Sequence, residues 1–267
     1  MMLAFRNLIS AFRTLEIDSD RPVIAHASLS AFGEVQGCAD TVVGALLAVF
    51  DTLIMPAFTY KTMITPEVGP PDNGIKYGTG RDANKMALNF HPYMPVDGAM
   101  GIISETLRQH PEARRSLHPI LSFTGINADA FLDSQSYAEP LRPIQVLTEA
   151  GGWILLLGVD HTRNTSIHYA ERLAGRKQFI RWALTSHGVR AIPGWPGCSG
   201  GFQALAPMLE GVTRQIHVGP GLVQAIPLPE LVETVRAWIA RDPLALLCRR
   251  EDCERCNEVR EAVRIAG

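Results

Sequence analysis

The sequence lacks a charge excess of either sign: 25 basic residues stand against 27 acidic ones, a net charge of −2. A polyanion-binding protein shows a basic excess or stripe, so no nucleic-acid partner is expected. An apolar run able to cross a membrane is also lacking. The longest uncharged stretch, Ala191–Leu209, has 19 residues but holds four Gly and three Pro, and reads as loop and turn. At the start of the chain, Leu3, Phe5, Leu8, Ile9, Phe12 and Leu15 are interrupted by Arg6 and Arg13. That is amphipathic helix spacing rather than the apolar core of a signal peptide. Cysteine is scarce and odd in number, five in all, which favours free thiols or a metal over a disulfide framework. The expected setting is the cytoplasm, away from membranes. Neither a G-x-G-x-x-G fingerprint nor a Walker lysine is present, so nucleotide binding is weakly signalled.

What the chain does have is length and apolar content: 267 residues, 46% of them hydrophobic. At about 150 residues per domain this allows one large domain or two modest ones. Such a chain buries roughly three-quarters of its extended surface, enough for a core without staples. Pro22–Ala27, Leu53–Phe58 and Trp153–Val159 are almost continuously apolar, as strands covered on both faces are. A helix is predicted over Thr41–Phe50, capped by Asp40, and others over Gly98–Gln109, Pro143–Ala150 and Thr165–Ala174. The clearest is Pro229–Ala240, with Pro at its first position and Leu231, Val232, Val235, Trp238 and Ile239 at core spacing. Strands and helices mixed along one undivided chain predict a single α/β domain over 1–245, with a Cys-bearing helical tail over 246–267 packed on it.

Tyr60–Pro95 differs in character, being rich in Gly, Pro, Asn and Asp. A loop longer than about 15 residues in a compact domain is usually functional or disordered. Its Tyr, Met, Ile and Phe content speaks against disorder, so it reads as a substrate-side excursion.

Chemistry concentrates in GWILLLGVDHTRNTSIHYAERLAG, where a buried strand ends at Val159 and a helix starts near Asn164 or Thr165. Strand ends and first helical turns meet in the crevice where α/β proteins hold ligands. Thr165, His168 and Glu171 follow one another at intervals of three, so each pair can be neighbours on the helix. A His flanked by a carboxylate has a fixed tautomer and a stabilised cation, which suits a general base. Glu171 and Asp160 are both candidate partners for His168. The plainer alternative is a Thr-capped helix start with a solvent-facing His–Glu pair.

Three further segments carry weaker signals. Backbone amides of Ser28 to Ser30, and those around Gly33 and Gly37, could face an anionic ligand near the helix that follows. His26 either joins that site or is a hydrogen-bonded core residue. Gly197-Cys198-Ser199-Gly200-Gly201 matches the G-x-S-x-G elbow, but no buried strand is read before it and only Glu210 lies between Ser199 and His217. Cys248, Cys253 and Cys256 include a zinc-like C-x2-C pair; a structural site needs a fourth ligand, Cys198 or a His from far along the chain. The alternative is three reduced thiols near a terminal helix.

These segments together resemble the aminoglycoside 3-N-acetyltransferases, antibiotic acetyltransferases distinct from the GNAT superfamily. The likeness runs from Arg21 to Pro243. It rests on His26-Ala-Ser-Leu-Ser with Gly33 and Gly37, Leu53-Ile-Met-Pro-Ala-Phe-Thr59, and His118-Pro-Ile-Leu-Ser-Phe123. It continues through Gly158-Val-Asp-His-Thr-Arg-Asn-Thr-Ser-Ile-His168 and Pro196-Gly-Cys-Ser-Gly-Gly-Phe202. The resemblance implies a central mixed sheet flanked by helices and transfer of the acetyl group of acetyl-CoA to the 3-amino group of 2-deoxystreptamine. By the same resemblance His168 is the general base, Thr165 steadies the thioester oxygen, and His26, Ala27, Ser28, Leu29, Ser30, Thr59, Ser122 and Phe123 line the CoA channel. The loop Thr65–Arg81 then helps form the antibiotic side.

Aminoglycosides are polycations, which calls for carboxylates in the cleft: Glu67, Asp72, Asp160 and Glu171 are the candidates. The chain departs from many family members at Ala27-Ser28, Gly37-Cys38 and Asp160, which leaves the base intact but can alter CoA packing and acceptor range. A CoA-binding relative that acetylates another amine or lacks turnover stays open, as does a zinc-bearing interaction module. The expected assembly is a monomer or homodimer.

Overall fold

The three continuous apolar runs are strands with both faces covered, and they organise everything else. The structure, a computed structural model, describes residues 2–266. Its strands are β1 (Val23–Ala27), β2 (Leu53–Pro56), β3 (Met63–Ile64), β4 (Arg114–Arg115), β5 (Phe123–Ile126), β6 (Trp153–Leu157), β7 (Phe179–Thr185), β8 (Gly188–Trp195), β9 (Arg214–Val218) and β10 (Gly221–Pro227). The helices are α1 (Phe5–Arg13), α2 (Cys38–Leu47), α3 (Arg81–Lys85), α4 (Gly101–Gln109), α5 (Asp129–Asp133), α6 (Arg142–Glu149), α7 (Ser166–Leu173), α8 (Ala206–Leu209), α9 (Leu228–Arg241) and α10 (Glu254–Ala266). None of the described helices is long and apolar enough to cross a membrane.

Seven strands form one mixed sheet in the order β4-β5-β2-β1-β6-β10-β9, in which β1 runs parallel to both β2 and β6 and the remaining pairs are antiparallel. The fold is therefore α/β with a central mixed sheet flanked by helices, as expected. Because side chains alternate across a strand, each central strand feeds two cores. Val23, Ala25, Leu155 and Leu157 point into one, with α1, α2 and α4 over it. Ile24, Ile154 and Leu156 point into the other, under α6, α7 and α9. Each fully buried Ile or Leu here contributes roughly 1.5–3 kcal/mol of transfer free energy.

Several sequence expectations shift by a turn. α2 starts at Cys38 after Gly37 in the left-handed region, so Asp40 lies inside the first turn instead of capping it; there it still meets the helix dipole favourably. Pro229 is the second residue of α9, not the first. Ala191–Leu209 is not all loop, because β8 runs through it to Trp195. The β7–β8 hairpin, with β3 at its edge, makes a separate three-stranded sheet. Its strand Phe179–Thr185 alternates buried and half-buried residues, a period-2 pattern in which the buried Arg181 masks the apolar face.

At the end of β6, Gly158 has φ +68°, and a Cβ there would lie 2.3 Å from the Ala31 Cβ. Both the backbone conformation and the space demand glycine, and the resulting close approach sets the turn after β1 against the turn after β6. Gly175 has a similar φ of +79° but open space around its Cα. Gly158→Ala should therefore lose about 2–4 kcal/mol in denaturant unfolding, and Gly175→Ala only about 1–2. Equal losses would show that the contact with Ala31 relaxes freely.

Candidate active site

The chain leaves β1 toward β2 on one side, while β6 lies on the other, and the helices that follow take opposite faces of the sheet. Divergence of this kind opens a crevice at the carboxyl ends of the strands. A cavity of about 910 Å³ lies there, lined by residues 25–30, by Gly98–Ile102 at the start of α4, and by Gly158–Asp160, Thr162, Arg163 and Thr165. A second cavity of about 180 Å³ adjoins it, lined by Phe58, Tyr60, Trp195, Pro196, Gly197, His168 and Arg255 among others. Met100, Thr162, Arg163 and Thr165 line both.

His168 sits at this second cavity on the first turn of α7. Its Nδ1 lies 2.9 Å from Glu171 Oε2, and Glu171 is only 2% exposed. The other carboxylate oxygen is 3.6 Å from Arg176 Nε, and Arg176 donates to the carbonyls of Pro243 and Ala245. With Nδ1 donating to the carboxylate, Nε2 is the nitrogen left to accept a proton. The Phe202 ring packs edge-on against the imidazole, centroids 4.7 Å apart, and fixes its plane. Asp160 is not the partner: its carboxylate accepts from Thr162 N and Oγ1 and caps the turn His161–Arg163. Nor does Thr165 cap α7 through its side chain. Asn164 Oδ1 accepts from Ser166 N instead, and Thr165 is among the residues lining both cavities.

The residues expected along a cofactor channel divide. His26, Ala27, Ser28, Leu29 and Ser30 line the large cavity. Thr59, Ser122 and Phe123 line neither cavity: the hydroxyls donate to the carbonyls of Pro119 and Ala57, and Phe123 lies in the core. The amide of Ser28 donates to Leu157 O and that of Gly33 to Ser30 O, so neither is free for an anion. Glu67 and Asp72 are exposed and line neither cavity. The reason is that their loop is fastened to β7, where Asn73 exchanges hydrogen bonds with the backbone of Ile180 and Arg181 donates to the Asn73 carbonyl. The expected acidic cleft is thus not formed by these residues. The cationic side chains on the small cavity are Arg163 and Arg255, which residue spacing did not reveal; only Arg255's position between two cysteines hints at it.

A strand does precede Ser199, since β8 ends at Trp195, but no hydrogen bond joins the Ser199 hydroxyl to His168 and the next residues form a short turn. Cys248, Cys253 and Cys256 converge with Cys198, all four buried.

A family model for aminoglycoside 3-N-acetyltransferases matches residues 24–240. The chain belongs to this family. Aminoglycoside N(3)-acetyltransferase III of Salmonella sp is 27% identical over 203 residues, covering 72% of this chain and 69% of the relative. The apoenzyme of aminoglycoside acetyltransferase AAC(3)-IVa superposes with a TM-score of 0.81 at 22% identity, covering 98% of both chains. AAC-IIIb in a binary complex with CoASH gives 0.72 at 22% identity, over 90% of this chain and 97% of that one. Family membership makes the protein an acetyltransferase.

Within this member of the family two other buried histidines, His26 and His118, are held neutral. Burial, with the charge of His161 adding to it, pulls His26 down to about 3, and its Nε2 is buried without a partner. Burial also pulls His118 down to about 3; its Nδ1 accepts from the amides of Ile120 and Leu121, a role only the neutral ring can fill. Below about pH 6.5 the unfolded chain binds protons that these native histidines refuse, so stability falls as pH falls toward 3. The limiting slope is about 1.4 kcal/mol per pH unit for each histidine. His118→Asn, which keeps an acceptor near the Nδ1 position, should make unfolding free energy less steep in pH by one histidine's share. An unchanged slope would show that His118 does not contribute.

Proposed function

We propose that the protein transfers the acetyl group of acetyl-CoA to the 3-amino group of the 2-deoxystreptamine ring of aminoglycosides, conferring resistance, with His168 as general base. The observation that carries this reading is the carboxylate-bound imidazole on the small cavity, which adjoins the large one through Thr162, Arg163 and Thr165. The larger cavity, about 910 Å³, is at the upper end of ligand-site sizes and suits a long cosubstrate. The smaller one brings the acceptor amine to His168. A protonated amine cannot attack a thioester, so His168 Nε2 takes the proton as the nitrogen bonds to the carbonyl carbon. Thr165 lines both cavities, and its hydroxyl is assigned to donate to the oxygen on which negative charge develops. As the oxyanion re-forms the carbonyl the C–S bond breaks, and the His168 imidazolium returns its proton to the departing thiolate, leaving the amide and free CoA thiol. Glu171 steadies the imidazolium and keeps the tautomer, without itself accepting the proton. Attack is direct, through a ternary complex, because among the described residues no serine or cysteine is hydrogen-bonded to the base.

A second reading concerns the acceptor. Arg163 and Arg255 line the small cavity, and Asp160 is the carboxylate among residues lining the large one. That charge distribution favours an amine with fewer positive charges than an aminoglycoside, acetylated by the same machinery.

Free-thiol release from acetyl-CoA separates these readings when aminoglycosides with and without a free 3-amino group are compared with small neutral or anionic amines. His168→Ala should lower kcat by about 10²–10⁴ while acetyl-CoA still binds, and Glu171→Gln should lower kcat by less. Turnover by His168→Ala close to that of the parent protein would remove the base assignment. Release only with the less cationic amines would replace the aminoglycoside by the second reading.

A further inference from the structure

We infer that Cys198, Cys248, Cys253 and Cys256 form a structural zinc site that ties the C-terminal helix to the wall of the His168 cavity. The four Sγ atoms all lie within 4.8 Å of one another, and all four residues are buried. A tetrahedral zinc with Zn–S bonds of about 2.3 Å needs sulfurs about 3.8 Å apart, so the cluster has to contract little to enclose the ion. The cysteines are free, not paired as disulfides. They also stand apart from both hydrophobic cores, with Leu247 as their partly buried apolar neighbour. Four thiols alone make a weak core, whereas four zinc-bound thiolates hold a segment firmly.

The surroundings match a thiolate cluster. The Gly200 amide donates to Cys198 Sγ at 3.3 Å, an outer contact that orients a ligand. Arg250 and Arg255 place positive charge beside the sulfurs, offsetting the surplus negative charge of four thiolates on one divalent ion. The chain around Cys198 is shaped for the tail: a Cβ at Gly201 would lie 2.4 Å from the Leu246 carbonyl oxygen, so only glycine lets the two backbones meet there.

The consequence lies at the small cavity. Arg255, between two of the cysteines, donates Nη1 to the Gly197 carbonyl at 2.7 Å, and both residues line the cavity beside His168. Cys198 follows Gly197 directly. The ion therefore holds this wall from both of its chain segments, Pro196–Phe202 and Cys248–Cys256.

The test is elemental analysis of the intact protein, purified without chelator and without a histidine tag. One zinc per chain is expected. In that state a thiol reagent should modify Cys38, the exposed cysteine, and leave the other four; a chelator with excess reagent should release zinc and expose them together. Cobalt exchanged into the site should show the intense thiolate charge-transfer absorption of a sulfur-only tetrahedral ion. Hydrogen exchange should then rise over 196–202 and 246–256 on zinc removal while β1 and β6 stay protected. Folded protein that carries no zinc and takes up none overturns the site. Zinc that leaves without any change in exchange over 196–202 overturns its hold on the cavity wall. Neither readout depends on acetyl transfer.

Discussion

A single buried carboxylate carries the site. Glu171 is almost fully enclosed, and an ionised carboxyl in that position is strongly destabilising unless its lone pairs are matched. One oxygen meets His168 and the other faces Arg176. Arg176 is itself buried, which pulls its pKa down, and it is anchored on two carbonyls of the segment after α9. Removing any member leaves a charge or a donor stranded, so the three are fixed as a unit. The orientation of the imidazole thus depends on chain more than 70 residues away from it, through the carbonyls of Pro243 and Ala245.

The sheet supplies the space in which that unit works. Parallel β1 and β6 end side by side, and the helices after them depart to opposite faces. Gly158 lets the two following turns approach, which shapes the large cavity, while α7 lowers His168 to the edge of the small one. Thr165, the N-cap residue whose side chain makes no capping bond, lines both. Thr165, which lines both cavities, and His168, which lines the small one, lie on one helical turn, the pairing on which the proposed acyl transfer rests.

Charge sets the question of the acceptor. The loop acids Glu67 and Asp72 are held out on the surface because Asn73 and Arg181 stitch that loop to β7. The arginines on the small cavity come instead from the turn after β6 and from the cysteine-bearing tail. A near-zero net charge is compatible with either distribution, and only the folding of loop and tail selects between them.

By itself the sequence determined what local pattern can encode. Strands buried on both faces must be continuously apolar, so β1, β2 and β6 were legible within two residues; α9 was legible from its 3.6-residue stripe. The His168–Glu171 contact followed from spacing on one helical turn, and the ordered motifs from His26 to Phe202 pointed to the family. Tertiary structure decided whatever joins residues far apart. Spacing favoured Glu171 over Asp160 as the partner of His168, but only the fold excluded Asp160, whose carboxylate caps its own turn. The family resemblance placed Thr59 and Ser122 in the channel, yet their hydroxyls go to backbone carbonyls that a folded core cannot leave unmatched. The β7–β8 hairpin hid behind a buried arginine. Cys198 joins three cysteines at least 50 positions later, and Arg255 reaches the cavity with them. Residue spacing carries no information about such meetings, because their distance is fixed by how the two segments pack and not by the chain between them.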